Sequence, residues 1–296
     1  MSARRGITAY IVPYVLLASI QYQFIKNGLL YADPFVYMSL RYFIASALCF
    51  VIARDFRPIL NRQTLLLSFF TFLSTAFWAV GMQTVSAGQS AVLTYTMPLF
   101  ALPLAWLILK EHTSNFTVVG ALIGFAGVAT YGLALSTGGG STEGIVFSVT
   151  NSFFWALYTI YYRMLKNQDP ARTVATQFLL GGFMFLPFLP FTFHLDLNPS
   201  FLIDLTYVSV LGGTALLMIW NIMARMESID RLTTISFAVP ATAVAIQALL
   251  TGELPTAVET LGVALMFVGI YISRTLPQRT RRAPMTREEN AASETS

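Results

Sequence analysis

Ten apolar runs, each about long enough to cross a bilayer, follow one another along the chain with short polar breaks between them. A hydrocarbon core of roughly 30 Å needs about 17–25 helical residues. The pattern predicts helices over about 7–26, 34–53, 63–83, 88–109, 116–135, 144–162, 172–193, 203–224, 233–251 and 256–274. The expected fold is an all-α integral membrane protein with ten transmembrane helices, because a helix satisfies its backbone polar groups internally. A loop containing Gly139 and Gly140 divides the runs into five and five. Residues 275–296 carry Arg279, Arg281, Arg282 and Arg287, then Glu288, Glu289 and Glu294, with almost no apolar content. That is the composition of a disordered tail.

One stretch occurs twice. Residues 95–127, YTMPLFALPLAWLILKEHTSNFTVVGALIGFAG, return 142 positions later as FAVPATAVAIQALLTGELPTAVETLGVALMFVG. Without a gap, Pro98 falls on Pro240, Glu111 on Glu253, Gly120 on Gly262, Phe125 on Phe267 and Gly127 on Gly269; upstream, Trp78 falls on Trp220. This period is too long for a solenoid unit and marks a duplicated half. The expected division is a first repeat over 1–135, a connecting loop over 136–143, a second repeat over 144–274 and a tail over 275–296.

Composition and charge then fix the solvent and the orientation. The 296 residues are 55% hydrophobic and 11% charged, where soluble domains carry about 25% charge. With the N-terminus cytoplasmic, 16 of the 18 cations fall on the cytoplasmic side, among them Arg4, Arg5, Lys110, Lys166, Arg231 and Arg274, as the positive-inside rule requires. Lys26 falls outside and Arg41 within a span. Both termini are therefore expected in the cytoplasm. Five helices per repeat start the second copy on the opposite side, so the halves are inverted, an arrangement common in secondary transporters. Although the net charge is +4, the cations mark a membrane face rather than one patch, and no nucleic-acid partner is expected. Arg4 and Arg5 precede an apolar run too long for a signal peptide, so that run should stay as an anchor. The single Cys49 excludes an internal disulfide and a cysteine-based metal site.

Further motifs carry a resemblance. Phe24-Ile25-Lys26, Asp33-Pro34 and Ser39-Leu40-Arg41-Tyr42, with Pro98…Lys110-Glu111 and Pro240…Gly252-Glu253 closing each repeat, resemble the drug/metabolite transporter superfamily, EamA type. The resemblance implies ten helices, a central cavity between the halves, and movement of amino acids or related metabolites. Ser19-Ile20-Gln21-Tyr22 departs from the tryptophan-glycine-serine type sequence usual there, while the second repeat keeps a tryptophan as Trp155.

Residues inside the spans supply the candidate chemistry. Pro98 and Pro240 each remove a helical hydrogen bond, which would free the carbonyls of Thr94 and Ser236 at membrane depth. A packing kink and a cavity lining explain this equally well. Gly120, Gly124, Gly127, Gly262 and Gly269 suit close helix contact, with the fifth and tenth helices forming a support or homodimer-facing surface. Arg41 lies about seven residues into its helix and is costly there unless paired or wetted. It either reaches the outer interface or Asp33, or faces the cavity toward an anionic group. Its counterpart by the Asp-Pro register is Gln177, since Asp169-Pro170 matches Asp33-Pro34. Lys26 and Arg163 are expected as symmetry-related gate or interface cations.

Polar and aromatic residues inside spans mark the expected cavity: Gln21, Gln23, Trp78, Gln83, Tyr95, Asn151, Trp155, Tyr158, Tyr162, Trp220 and Asn221. Asn151, Trp155, Tyr158 and Tyr162 recur at intervals of four, three and four, one helix face. Tyr22, Tyr162 and Tyr207 suit an interfacial belt. No Asp or Glu is expected deep in a span, so a neutral, zwitterionic or anionic metabolite is preferred over a proton-exchanged cationic drug. No GxxxxGK[ST] loop is present, and His112 and His194 lack catalytic or metal partners. The expectation is a plasma-membrane secondary or facilitative carrier without cofactor or metal, exporting a small amino-acid-like metabolite. An organic-anion or drug-type carrier, or a non-transporting scaffold or sensor, is the alternative; an enzyme is not expected.

Overall fold

The computed structural model describes residues 2–110, 114–137, 141–165, 167–228, 232, 235–252, 254 and 256–275. Glu111, His112, Gly139, Gly140, Lys166, Arg231, Glu253 and the 276–296 tail lie outside the described residues. Among those described, all regular structure is helical and no strand forms. The helices are α1 (Ser2–Gly28), α2 (Pro34–Ala53), α3 (Arg62–Thr84), α4 (Ala87–Thr94), α5 (Met97–Leu104), α6 (Asn115–Thr137) and α7 (Thr142–Met164). They continue as α8 (Pro170–Phe185), α9 (Leu189–Thr192), α10 (Pro199–Thr206), α11 (Leu216–Met226), α12 (Ala238–Thr251) and α13 (Ala257–Thr275). Wide π turns at Ala105–Leu109 and Tyr207–Ala215 extend α5 and join α10 to α11. By length and composition Pro34–Ala53, Arg62–Thr84, Asn115–Ala134, Pro170–Thr192 and Pro199–Met226 each suffice to cross a membrane; α12 and parts of α5 and α13 are shorter apolar helices.

Local chemistry sets the helix ends. Asp33 accepts from Phe35 N and Asp169 from Arg172 N, each followed by proline at the first helical position, where the missing N–H costs nothing. Ser86 and Gln89 form a capping box on α4, satisfying two orphan donors reciprocally. Asn61 and Asn198 cap α3 and α10.

The prolines correct one expectation. Pro98 does not interrupt a continuous helix: α4 ends at Thr94, and Pro98 stands at the start of α5. Pro240 likewise falls in the first turn of α12, after a turn at Phe237. Each chain segment restarts as a fresh helix, and a proline is compatible with a first turn because its N–H would be unsatisfied there.

Packing joins the two halves throughout. α6 lies along α13, α3 along α7 and α2 along α8, while α4 meets α12 and α1 packs on α10, α11, α12 and the π turn between α10 and α11. The glycines make the α6–α13 contact possible. A Cβ on Gly127 would stand 2.5 Å from Gly262 O, and one on Gly269 2.4 Å from Gly120 O. The glycine stripes thus face each other within the chain.

Cations tie the helix ends. Lys26 Nζ, leaving α1, donates to Met82 O at 2.6 Å and Gln83 O at 3.1 Å on the last turn of α3. Arg163, leaving α7, donates to Ala224 O at 2.8 Å and to Glu227 O at the end of α11. Positive charge at a helix C-terminus also complements the macrodipole. At the start of α8, Arg172 pairs with Asp55 at 2.9 Å, and between loops Asp33 N donates to His194 O.

Candidate functional site

A cavity lies between the halves, lined from near the middle of α1, α2, α3, α7 and α8, from the end of α4 and from the π turn and α11. Its wall takes Tyr14, Ala18, Gln21 and Tyr22 from α1, Arg41 and Tyr42 from α2, and Thr71, Ser74, Thr75 and Trp78 from α3. Thr94 and Tyr95 come from the α4 break; Asn151, Trp155 and Tyr158 from α7; Phe178 from α8; and Gly212, Leu216, Leu217 and Trp220 from the π turn and α11. The space a water centre can reach is about 100 Å³, several times the roughly 10–15 Å³ that one water needs. That is room for a cluster of waters or a small metabolite.

Aromatic residues build one side. Trp220 stacks on Tyr14 at 5.2 Å between ring centroids, and Trp155 lies 5.5 Å from both Trp220 and Tyr95. Tyr14 and Tyr95 join hydroxyl to hydroxyl at 3.2 Å. Tyr22 meets Trp78 edge-on at 5.3 Å. Such tilted and edge-on pairs suit the ring quadrupoles and fix the wall without ionic groups.

Asn151 is the polar clip. It donates through Nδ2 to Thr94 Oγ1 at 3.0 Å and accepts from Ser74 Oγ at 2.7 Å, so α7 holds both α3 and the broken end of α4. The Thr94 hydroxyl therefore serves the cavity wall rather than its own helix. Ser236 is buried but does not line this cavity. Trp78 Nε1 donates to Ser90 Oγ at 3.1 Å.

Arg41 is the cation in the wall, 6% exposed. Its Nε donates to Val208 O at 3.1 Å and its Nη2 to Gly212 O at 3.3 Å and Gln21 Oε1 at 3.5 Å. The guanidinium carbon lies 5.7 Å from the Trp78 ring centroid, within cation–π range. Both carbonyls belong to the π turn Tyr207–Ala215, a geometry that loosens the regular ladder and recurs at functional sites. No pair with Asp33 forms, because that carboxylate caps α2. Gln177, the counterpart by register, is buried and uncharged.

Other expectations change here. Asn221 does not line the cavity: it is fully buried and accepts from Tyr158 OH at 2.5 Å, so it stands behind the wall. Tyr22 and Tyr162 are not belt residues; both are buried, and Tyr162 lies 5.1 Å below the Arg225 guanidinium. Tyr207 stacks on Phe24 at 4.0 Å. Gln23 and Gln83 are outside the wall, and the Gln83 side chain is exposed. One buried carboxylate escaped the sequence reading. Asp204 is 3% exposed and accepts from Asn27 Nδ2 at 2.5 Å, near the end of α10 and outside the cavity lining. The unforeseen lining residues Thr71, Ser74 and Thr75 carried a readable signal: with the expected Trp78 they recur at three, four and seven, one face of a helix.

A sequence model of the EamA-like transporter family matches residues 6–133 and again 142–275. The chain belongs to this family. A relative from Acidianus ambivalens, named "Uncharacterized transporter in sor 3'region", is 43% identical over 80% of this chain and 92% of its own length. One from Salmonella typhimurium, named "Probable amino-acid metabolite efflux pump", is 24% identical over 92% of this chain and 95% of its own. A solved crystal structure superposes with a TM-score of 0.78 at 17% identity, covering 93% of this chain and 99% of that one, a likeness of fold alone. Family membership makes the chain a multi-pass membrane transporter with a lipid bilayer around it and a small molecule as cargo.

Proposed function

We propose that this transporter is a ten-span plasma-membrane carrier that exports a small amino-acid-like or related neutral or zwitterionic metabolite by alternating access. Its halves are inverted repeats over 1–135 and 144–274, joined by 136–143, with both termini cytoplasmic. The observation that carries the reading is the mid-depth cavity walled from both halves, by Gln21, Arg41, Trp78 and Tyr95 on one side of the repeat boundary and by Asn151, Trp155, Tyr158 and Trp220 on the other. A two-fold relation between the repeats is supported by the packing, and inversion by the odd number of helices in each. Under a two-fold exchange of the repeats, α2 with α8, α6 with α13 and α4 with α12 are self-paired, while α3 on α7 exchanges with the α10–α11 segment on α1. Repeats so related give two mirror gates around one site.

The amino-acid-like cargo draws support from the Salmonella relative's name, from a wall of aromatic and amide groups, and from the small cavity volume. Cofactor-free, non-enzymatic carriage follows from this reading. A thermal-shift screen against metabolites, followed by counterflow of each stabilising compound in proteoliposomes, tests it. The expected result is flux in the wild type and its loss in Trp155→Ala at equal insertion. Stabilising ligands without flux would favour a binding or sensing role instead.

A further inference from the structure

Arg41 sets a problem of charge that the carrier reading leaves open. A buried guanidinium is costly unless paired and hydrogen-bonded. The acceptors around Arg41 are two backbone carbonyls and an amide, none of them charged. Among the described residues, no acid lines the cavity. Asp33 and Asp204, the nearest acids by chain position and packing, are engaged at Phe35 N and Asn27 Nδ2. The hydrogen bonds to oxygen use Nε and Nη2, while Nη1 meets only Met38 Sδ at 3.7 Å, a weak acceptor. The cavity therefore has an uncompensated positive charge with donor capacity left on one terminal nitrogen. Around it the wall is aromatic and apolar.

Building on the carrier reading, we propose that Arg41 seats a carboxylate of the transported molecule, whose apolar or aromatic body lies against Tyr14, Tyr95, Trp155 and Trp220. A carboxylate oxygen is a charge-matched acceptor for the donor capacity left on Nη1. Desolvated in this site, it supplies the counter-charge that the protein withholds. The second repeat has the neutral Gln177 at the corresponding register position, so the site has one anion seat rather than two. A cationic amine without a carboxylate would meet Arg41 as a like charge and be excluded. Amino acids and simple organic acids share the carboxylate, and the experiment separates these sources.

The purified full-length protein in detergent is titrated by tryptophan fluorescence with four probes sharing one aromatic body: 3-phenylpropionate, L-phenylalanine, L-phenylalaninamide and phenethylamine. Both carboxylates are expected to bind saturably, and the amide and the amine at least about tenfold more weakly. Tighter binding of 3-phenylpropionate than of L-phenylalanine assigns the site to organic acids, and the reverse order assigns it to amino acids. Arg41→Gln removes the carboxylate preference. Since that change also strips the π-turn carbonyls of their donor, Gln21→Glu provides the independent arm: it keeps Arg41 and places a carboxylate 3.5 Å-class neighbour in the seat, and is expected to abolish probe binding while the fold persists. Arg41→Lys retains part of the preference. Equal binding of phenethylamine and 3-phenylpropionate, unchanged carboxylate affinity in Gln21→Glu, or no saturable binding of either carboxylate overturns the proposal. Counterflow separates it from the carrier reading: carboxylate binding without flux sinks transport alone, and flux without a carboxylate requirement sinks the Arg41 seat alone.

Discussion

Tyr158 donates a 2.5 Å hydrogen bond to the side-chain carbonyl of Asn221, joining α7 to α11 behind the cavity wall. Tyr158 lines the cavity and Asn221 does not. Leaving either partner unsatisfied when buried costs about 1–3 kcal/mol. Tyr158→Phe and Asn221→Ala should each lower the detergent melting temperature, and the double variant should lose clearly less than the two losses summed. Strict additivity in that cycle would mean that Asn221 does not act through Tyr158.

The α6–α13 contact predicts opposite outcomes for two glycines on one helix. Gly127→Ala places a methyl 2.5 Å from Gly262 O and 2.9 Å from Met266 N, backbone atoms that cannot swing away. The expected cost is about 1–3 kcal/mol, as for other overpacked sites. A Cβ on Gly132 meets nothing nearer than 3.9 Å, so Gly132→Ala should be neutral or stabilising by up to about 1 kcal/mol. Thermal unfolding of both variants checks the contrast, and equal losses would contradict it.

Lys26 and Arg163 each hold the last turn of another helix within their own half. Removing the charge should loosen those turns locally. Amide exchange is expected to speed up about tenfold around residues 82–85 in Lys26→Met and around 224–227 in Arg163→Met, each leaving the other end unaffected. Hydrogen–deuterium exchange read by mass spectrometry reports it. Unchanged protection would reduce both cations to passengers.

Orientation has its own check. A cysteine introduced at Ser136 should react with a membrane-impermeant thiol reagent on intact cells, and one at Lys166 should react only after permeabilisation. The reverse pattern would invert the proposed topology. Buried Cys49 leaves a low background for the assay.

Helices were legible because a bilayer demands long apolar runs, and the Asp33-Pro34 and Asp169-Pro170 pairs announce their helix starts by known cap chemistry. Part of the wall was legible too, in Gln21, Arg41, Trp78, Tyr95, Asn151, Trp155, Tyr158 and Trp220, since an aromatic or amide mid-span has few other uses. What stayed hidden depends on rotation and on breaks in regularity. Asn221 follows Trp220 directly, yet one step along a helix turns it about 100° away, and periodicity in a short segment did not separate the two. The π turn at Tyr207–Ala215 has no composition signal, so the carbonyl partners of Arg41 were invisible until the backbone was traced. Asp204 was passed over because it sits near a predicted boundary, where a shift of a few residues decides between loop and bilayer.

Holding its charge with backbone carbonyls rather than with a carboxylate makes Arg41 a fixed cation that is not cancelled within the protein. A zwitterion seated there crosses with no net charge, whereas a simple organic acid carries one negative charge across. Each 100 mV of interior-negative potential then contributes about 2.3 kcal/mol toward the outside. For an organic-acid cargo the resting membrane voltage would favour the outward direction, and for a zwitterion it would favour neither.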